Sequence, residues 1–328
     1  MSQRTGFDTL ITSEIDFNFE SRMFILKCRV PYVVWFKGQS IKIRSHLYTT
    51  LPRKSGLYSV YITEQGELVN MFGSKGRNVN GVLTAHLYWN ELQQKCIMCS
   101  DERHQEWLNF NHHVYLHNTF GARLLNGFEL LGFTLNGDGS ANAHCTFTLT
   151  GGSYVDEDLT FTVKDKILDK GSRDFFYQVL NARKKVSNSL CYSYCLIPVY
   201  YRKGKESLWF CESEIDAPLL CLGKKPLINF WQCDDGWTLQ YVPEDCYFPM
   251  YIVAVANQFN PVIAVVGDVW YVTKNLAMNQ NEFTKFATNG PWVDREVVLL
   301  YRLLYQSKPG KGNDFGASLI HISDLRVM

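Results

Sequence analysis

The chain has 328 residues, 46% apolar and 20% charged, which supplies a large core and excludes global disorder or a fold that depends on metal or disulfides. Lys and Arg total 33 against 32 Asp and Glu, a formal charge of +1. That balance argues against a nucleic-acid coat, so nucleic acid is not indicated as a partner by net charge. Ten cysteines are too few for a disulfide-stapled secreted scaffold, and no apolar run reaches the ~18 residues of a membrane-spanning helix.

From the N-terminus, MSQRTGFDTLITSEIDFNFE places Asp8, Glu14 and Asp16 where a signal peptide needs an uninterrupted apolar stretch. The expectation is a soluble, intracellular protein with reduced thiols. The two longest apolar runs, FILKCRVPYVVWF and YIVAVANQFNPVIAVVG, are broken by Lys27, Arg29, Asn257 and Asn260. Hairpin chemistry then recurs along the chain in LYSVYITEQGELVNMF, GFTLNGDGSANAHCTFTLTGG, YYRKGKESLWF, NFWQCDDGWTLQYV and IAVVGDVWYV. In each, Gly, Asn or Asp separates stretches rich in β-branched and aromatic residues. The sharpest is Asp235-Gly236, read as a type I′ turn between strands carrying Phe230/Trp231 and Trp237/Leu239. Helical spacing is read at 100–110, at 172–185 and at 279–288. It is read most strongly at 291–306, where Val293, Val297, Leu300, Tyr301 and Leu304 form the apolar stripe. The Gly-rich stretch from Ser307 to Ser318 follows as a mobile or partner-contacting loop.

The fold expected is mainly β (α+β), with antiparallel, sandwich-like sheets and a few helices, notably near 172–185 and 291–306. The organisation expected is a β-rich domain over 1–170, a helical connector over 171–188 and a β-rich domain over 189–328.

Several constellations bear on chemistry. Cys96, Cys99, His112 and His117 have the Cys-x2-Cys-x12-His-x4-His spacing that resembles a zinc finger, two thiolates and two imidazoles being a complete tetrahedral set. Arg103 and Asn109 stand where that mini-domain needs apolar residues. The cysteines are therefore expected at one end of a helix, with His112 and His117 on opposite faces of a strand. The pair His112-His113, with His144 later, resembles the hairpin of metal-dependent His-Asn-His nucleases, where one imidazole activates water and the metal holds phosphate. His144-Cys145-Thr146-Phe147 resembles one copy of the motif of two-histidine phosphoesterases. Its would-be partner, His321-Ile322-Ser323, is followed by Asp324 instead of an apolar residue.

Basic clusters with neighbouring aromatics, above all Arg202, Lys203 and Lys205, and Lys308 with Lys311, suit phosphate or partner contact. Acidic clusters of similar size, such as Asp156-Glu157-Asp158, read as solvated turns. No nucleophile elbow is present. The leading expectation is a non-enzymatic structural or protein-interaction protein that self-assembles, its Tyr-, Phe-, Asn- and Cys-rich composition being compatible with a virus-encoded protein. The expected partner is another protein or a second copy of the chain. No cofactor is expected, with zinc at the Cys/His set as the exception. The alternative is a metal- or histidine-dependent phosphodiester-cleaving enzyme using histidines within 104–144.

Overall fold

The computed structural model describes residues 4–73, 80–106, 115–116, 119–163, 177–179, 182–183, 197–212, 217–280, 290–292 and 296–326. The protein is mainly β, built from a six-stranded, a five-stranded and a four-stranded sheet with smaller two- and three-stranded ones. Among the described residues every strand pair but one is antiparallel. The exception joins Val199–Lys203 to Val262–Val266.

The six-stranded sheet runs, in spatial order, Leu208–Glu212, Val199–Lys203, Val262–Val266, Tyr247–Val255, Val297–Ser307 and Ala317–Asp324. Its middle strands have no solvent face. Phe248, Met250, Ile252 and Ala254 point into one large core that also holds Phe7, Phe24 and Trp89. Tyr251, Val253 and Val255 alternate with them into a second core with Tyr88, Ile97 and Met98. This two-sided burial is why YIVAVANQFNPVIAVVG is apolar almost throughout, a pattern normally confined to strands covered on both faces.

The same physics overturns the helix expected at 291–306. Residues Val297–Ser307 form an eleven-residue strand, paired with Tyr247–Val255 on one side and Ala317–Asp324 on the other. Its run VVLLYRLLYQS is buried at nearly every position, so a helical stripe can be drawn through it as easily as any other period. Leu300 is fully buried, within a sheet and not on a helix.

Three other helical expectations meet the structure differently. Ser100 and Asp101 end the strand Lys95–Asp101, and residues 107–110 lie outside the described residues. Within 172–185, Tyr177–Val179 and Ala182–Arg183 are strands that extend the five-stranded sheet, and the remainder lies outside the described residues. Of 279–288, residues 281–288 lie outside them also. A short helix, Lys274–Met278, sits just before, capped by Thr273.

The Asp235-Gly236 hairpin is present, joining Leu227–Gln232 to Gly236–Tyr241 with Trp231 opposite Trp237. The loop is three residues, not a two-residue type I′ turn. Gln232 pairs with Gly236, and Gly236 alone at the turn has a positive φ, 76°. A β-carbon there would lie 2.5 Å from the Gly204 carbonyl oxygen, so glycine is required twice over.

Tyrosine hydroxyls link sheets to other sheets or to loops through main-chain groups. Tyr154 donates to the Val255 carbonyl and Tyr200 to that of Ile97. Tyr301 and Tyr305 donate to Phe128 and Cys145 at 2.9 and 3.1 Å, and Tyr88 accepts from the Trp209 N–H at 2.9 Å. The Gly-rich 308–316 loop is pinned, not loose. Asn313 accepts from the Phe315 and Gly316 N–H groups, and Asn142 exchanges two bonds with Asp314.

Candidate functional site

The densest set of titratable side chains lies where three strand systems meet. His86 comes from the strand Val82–Asn90, and the register places Ser59 and Ser100 beside it on the two neighbouring strands. Ser59 Oγ is 3.0 Å from His86 Nδ1, and Ser100 Oγ donates to Glu102 Oε1 at 2.7 Å. Beyond Asp101 the chain is held by its backbone. The Glu102 N–H donates to Thr84 O at 3.0 Å, and the Phe7 N–H donates to His104 O at 2.8 Å. Gly6 permits that approach, because a β-carbon there would lie 2.7 Å from the His104 carbonyl oxygen. The third contribution is the turn between Gly152–Asp156 and Leu159–Val163, where Glu157 takes a φ of 52°. An L-residue in that region is strained, typically by ~1–3 kcal/mol. Here it turns Asp156, Glu157 and Asp158 inward. Glu296, just ahead of Val297–Ser307, completes the set.

All of these side chains are buried. His86 is 1% exposed, Glu102, Asp156, Asp158 and Glu296 are each 2%, and His104 is 8%. This corrects the expectation that the 156–158 cluster is a solvated turn. His104 Nδ1 pairs with Asp158 Oδ1 and lies 3.7 Å from Glu157 Oε2, while its Nε2 lies 3.7 Å from Glu102 Oε2. The Gln105 N–H donates to the other Asp158 oxygen at 2.9 Å.

The ionisation states divide accordingly. Burial opposes a charged His104, but the carboxylates of Asp158, Glu102 and Glu157 outweigh it and hold the imidazole well above its usual range. Burial likewise works against charge on Glu102. There the His104 hydrogen bond, the two imidazoles and Ser100 carry the carboxyl down to about 2. Asp158 is also lowered, since His104 and the Gln105 N–H outweigh its burial. Asp156 and Glu296 go the other way. Burial, reinforced by neighbouring carboxylates, pushes both well above the carboxylate range. Among the described residues, five carboxyls thus surround two imidazoles. One nitrogen of His86 and one oxygen each of Glu102 and Glu296 lie within 4.8 Å of one another, a spacing that metal ligands can close.

Cys96 and Cys99 occupy the strand Lys95–Asp101, not the end of a helix. A bulge between Cys96 and Met98 brings both onto the large core. Cys96 Sγ donates to Met98 O at 3.0 Å, and burial pushes both thiols far above their usual range, away from the thiolate that zinc needs. His112, His113 and His117 lie outside the described residues. His144 is in a short 3-10 turn, Asn142–His144, and not in a strand. Its Nδ1 accepts from the Gly139 N–H at 3.2 Å and lies 3.3 Å from an exposed Asp138 oxygen.

Arg202 is buried, its guanidinium centred 3.5 Å over the Trp237 ring, and burial lowers it to about 10. Lys203 is exposed beside the rings of Tyr201 and Phe210, and Lys205 is exposed on the adjacent turn. Lys308 donates to Gly137 O at 2.9 Å, and Lys311 is exposed nearby. Arg202–Lys205 and Lys308–Lys311 sit on different hairpins.

The residues that sequence reasoning passed over are His86, Glu102, Asp156, Asp158 and Glu296. Two signals stood in the sequence: a histidine inside the apolar run VLTAHLYWN, and a glutamate immediately before VVLLYRLLY. No family model, no curated protein and no solved structure matches the chain.

Proposed function

We propose that this chain is a non-enzymatic structural or protein-interaction protein that acts through its surface and associates with further copies of itself. The observation that carries this reading is enclosure. The one dense cluster of acid, base and imidazole groups among the described residues is at most 8% exposed at any of His86, Glu102, His104, Asp156, Asp158 and Glu296. A phosphodiester would have to bring its own charge into that buried interior, at a cost that a cleft-borne site does not face.

The surface offers a contrasting feature. The two-stranded ribbon Leu227–Gln232/Gly236–Tyr241 carries Phe230, Trp231 and Tyr241 at 36–50% exposure, and Arg202 stacked under Trp237 stiffens its base. Exposed Asp234 and Asp235 at its tip and Lys203 and Lys205 beside its base give it both signs of charge. A patch of aromatic anchors with both signs is self-complementary, which a two-fold contact between identical chains requires.

Light scattering coupled to size-exclusion chromatography tests the reading, alongside an assay for hydrolysis of a chromogenic phosphodiester with added Mg²⁺, Mn²⁺ or Zn²⁺. The expected result is a discrete oligomer, weakened by the double change Trp231→Ser and Tyr241→Ser, and no turnover. A monomer at all concentrations, or turnover abolished by His104→Gln, overturns it.

A further inference from the structure

We propose that the protein binds one divalent transition-metal cation of the imidazole-accepting kind, such as Zn²⁺ or Mn²⁺, between His86, Glu102 and Glu296. The inference is independent of the surface role, and its test reads the cation and not assembly.

Three observations converge. First, one ligand atom from each of the three side chains already lies within 4.8 Å of the others, on residues no more than 2% exposed. The donors are an imidazole and two carboxylates, a mixed set that favours Zn²⁺, Mn²⁺ or Fe²⁺ over the all-oxygen cages of Ca²⁺. Second, two of the ligands are held in orientation from behind. Ser59 lies against His86 Nδ1 and Ser100 donates to Glu102 Oε1, as outer partners do for metal-bound imidazoles and carboxylates. Third, the site borders a polar atom that the protein leaves unanswered. Asp156 Oδ1 is buried without a hydrogen-bond partner among the described residues, amid the carboxyls of Glu102, Glu157 and Asp158. A buried, unbonded carboxyl oxygen in such company is costly. A cation between Glu102 and Glu296 would sit beside that oxygen in a cluster where, among the described residues, carboxyls outnumber imidazoles.

The site is closed, so its role is architectural. It ties the strand that carries His86, and the segment just after Lys95–Asp101 that carries Glu102, to the residue ahead of Val297–Ser307, more than 190 residues further along the chain. Structural metal centres join distant segments in this way and couple ion binding to folding.

The full chain is stripped with EDTA, dialysed, and titrated by calorimetry with ZnCl₂, MnCl₂ and CaCl₂, with melting followed in parallel and metal content measured on the untreated protein. The expected result is one Zn²⁺ or Mn²⁺ per chain and a raised Tm, with Ca²⁺ giving neither. Glu296→Gln keeps the shape of the side chain and removes the carboxylate that a bound cation would require. It is expected to fold and melt like the stripped protein, to bind roughly ten-fold more weakly or worse, and to lose the metal-dependent rise in Tm. His86→Gln provides a second variant with the same expected loss. The wild-type titration needs neither variant. Absence of stoichiometric binding there overturns the proposal, as does an equal response to Ca²⁺ or undiminished binding in Glu296→Gln.

Discussion

Asp101, Glu102, Arg103 and His104 build two buried ion networks that end differently. Asp101 and Arg103 point one way and close on each other. Two guanidinium nitrogens meet both carboxylate oxygens at 2.7 and 2.6 Å, and a third donates to Ser13 at 2.7 Å. Charge is matched one to one, and the fork geometry of Arg uses both lone-pair directions of the carboxylate. Glu102 and His104 point the other way, into a cluster where carboxyls outnumber imidazoles and two of the carboxyls, Asp156 and Glu296, resist ionisation. Both networks are equally removed from water, so burial does not distinguish them. The ratio of carboxyls to cationic groups among the described residues does, and it is the feature on which the proposed cation site rests.

The sharpest way to break the comparison is at the finished pair. Arg103→Ala removes the guanidinium that meets both oxygens of buried Asp101, and it is expected to cost about 3–5 kcal/mol in chemical denaturation, whether or not metal is present. Leu300→Ala, in the strand that follows Glu296, is the neutral reference. A fully buried leucine should cost about 2–5 kcal/mol, again without dependence on EDTA. Asp156→Asn sharpens the contrast from the other side. Replacing a resisted charge by an amide is expected to stabilise EDTA-treated protein by about 1 kcal/mol in urea. A loss of similar size would mean that Asp156 is well bonded.

The smallest effect sets the pH background. Burial, with Lys274 and Arg302 adding to it, lowers His321 below its usual range. The folded form therefore holds its proton less tightly than the unfolded chain. Stability from this group is complete above the unfolded value, about 6.5, and is lost as pH falls from there toward the lower folded value. Because His321 is partly exposed, the loss is expected to be a few tenths of a kcal/mol, removed in His321→Gln and measured as the midpoint of urea unfolding between pH 7 and 5.

Strand dominance was legible in the sequence because turn residues punctuate it at short intervals, and the 227–241 hairpin was legible for the same reason. Its loop type was not, since the choice between a two- and a three-residue loop rests on the approach of Gly236 to Gly204, a contact between distant segments. The strand at 297–307 was misread because periodicity carries information only when one face is wet. There Arg302 is buried too, donating to the Ala277 carbonyl at 2.6 Å. The ion cluster was not legible as one site because its members come from separate segments, at positions 86, 102 and 104, 156–158 and 296. Acidic residues in a hairpin turn are ordinarily solvated, and only the left-handed backbone at Glu157 turns them inward.

The tyrosine bridges carry a kinetic consequence. Tyr154, Tyr200, Tyr88, Tyr301 and Tyr305 bond to main-chain groups 101, 103, 121, 173 and 160 residues away. None of these bonds can form until distant segments have come together, so they are expected to form on the downhill side of the folding barrier. A chain whose contacts close over such spans folds slowly for its stability. Tyrosine-to-phenylalanine changes at 154 or 301 should accordingly speed unfolding far more than they slow folding. On this expectation the hydroxyls act as latches, lengthening the life of the native state more than they hasten its formation.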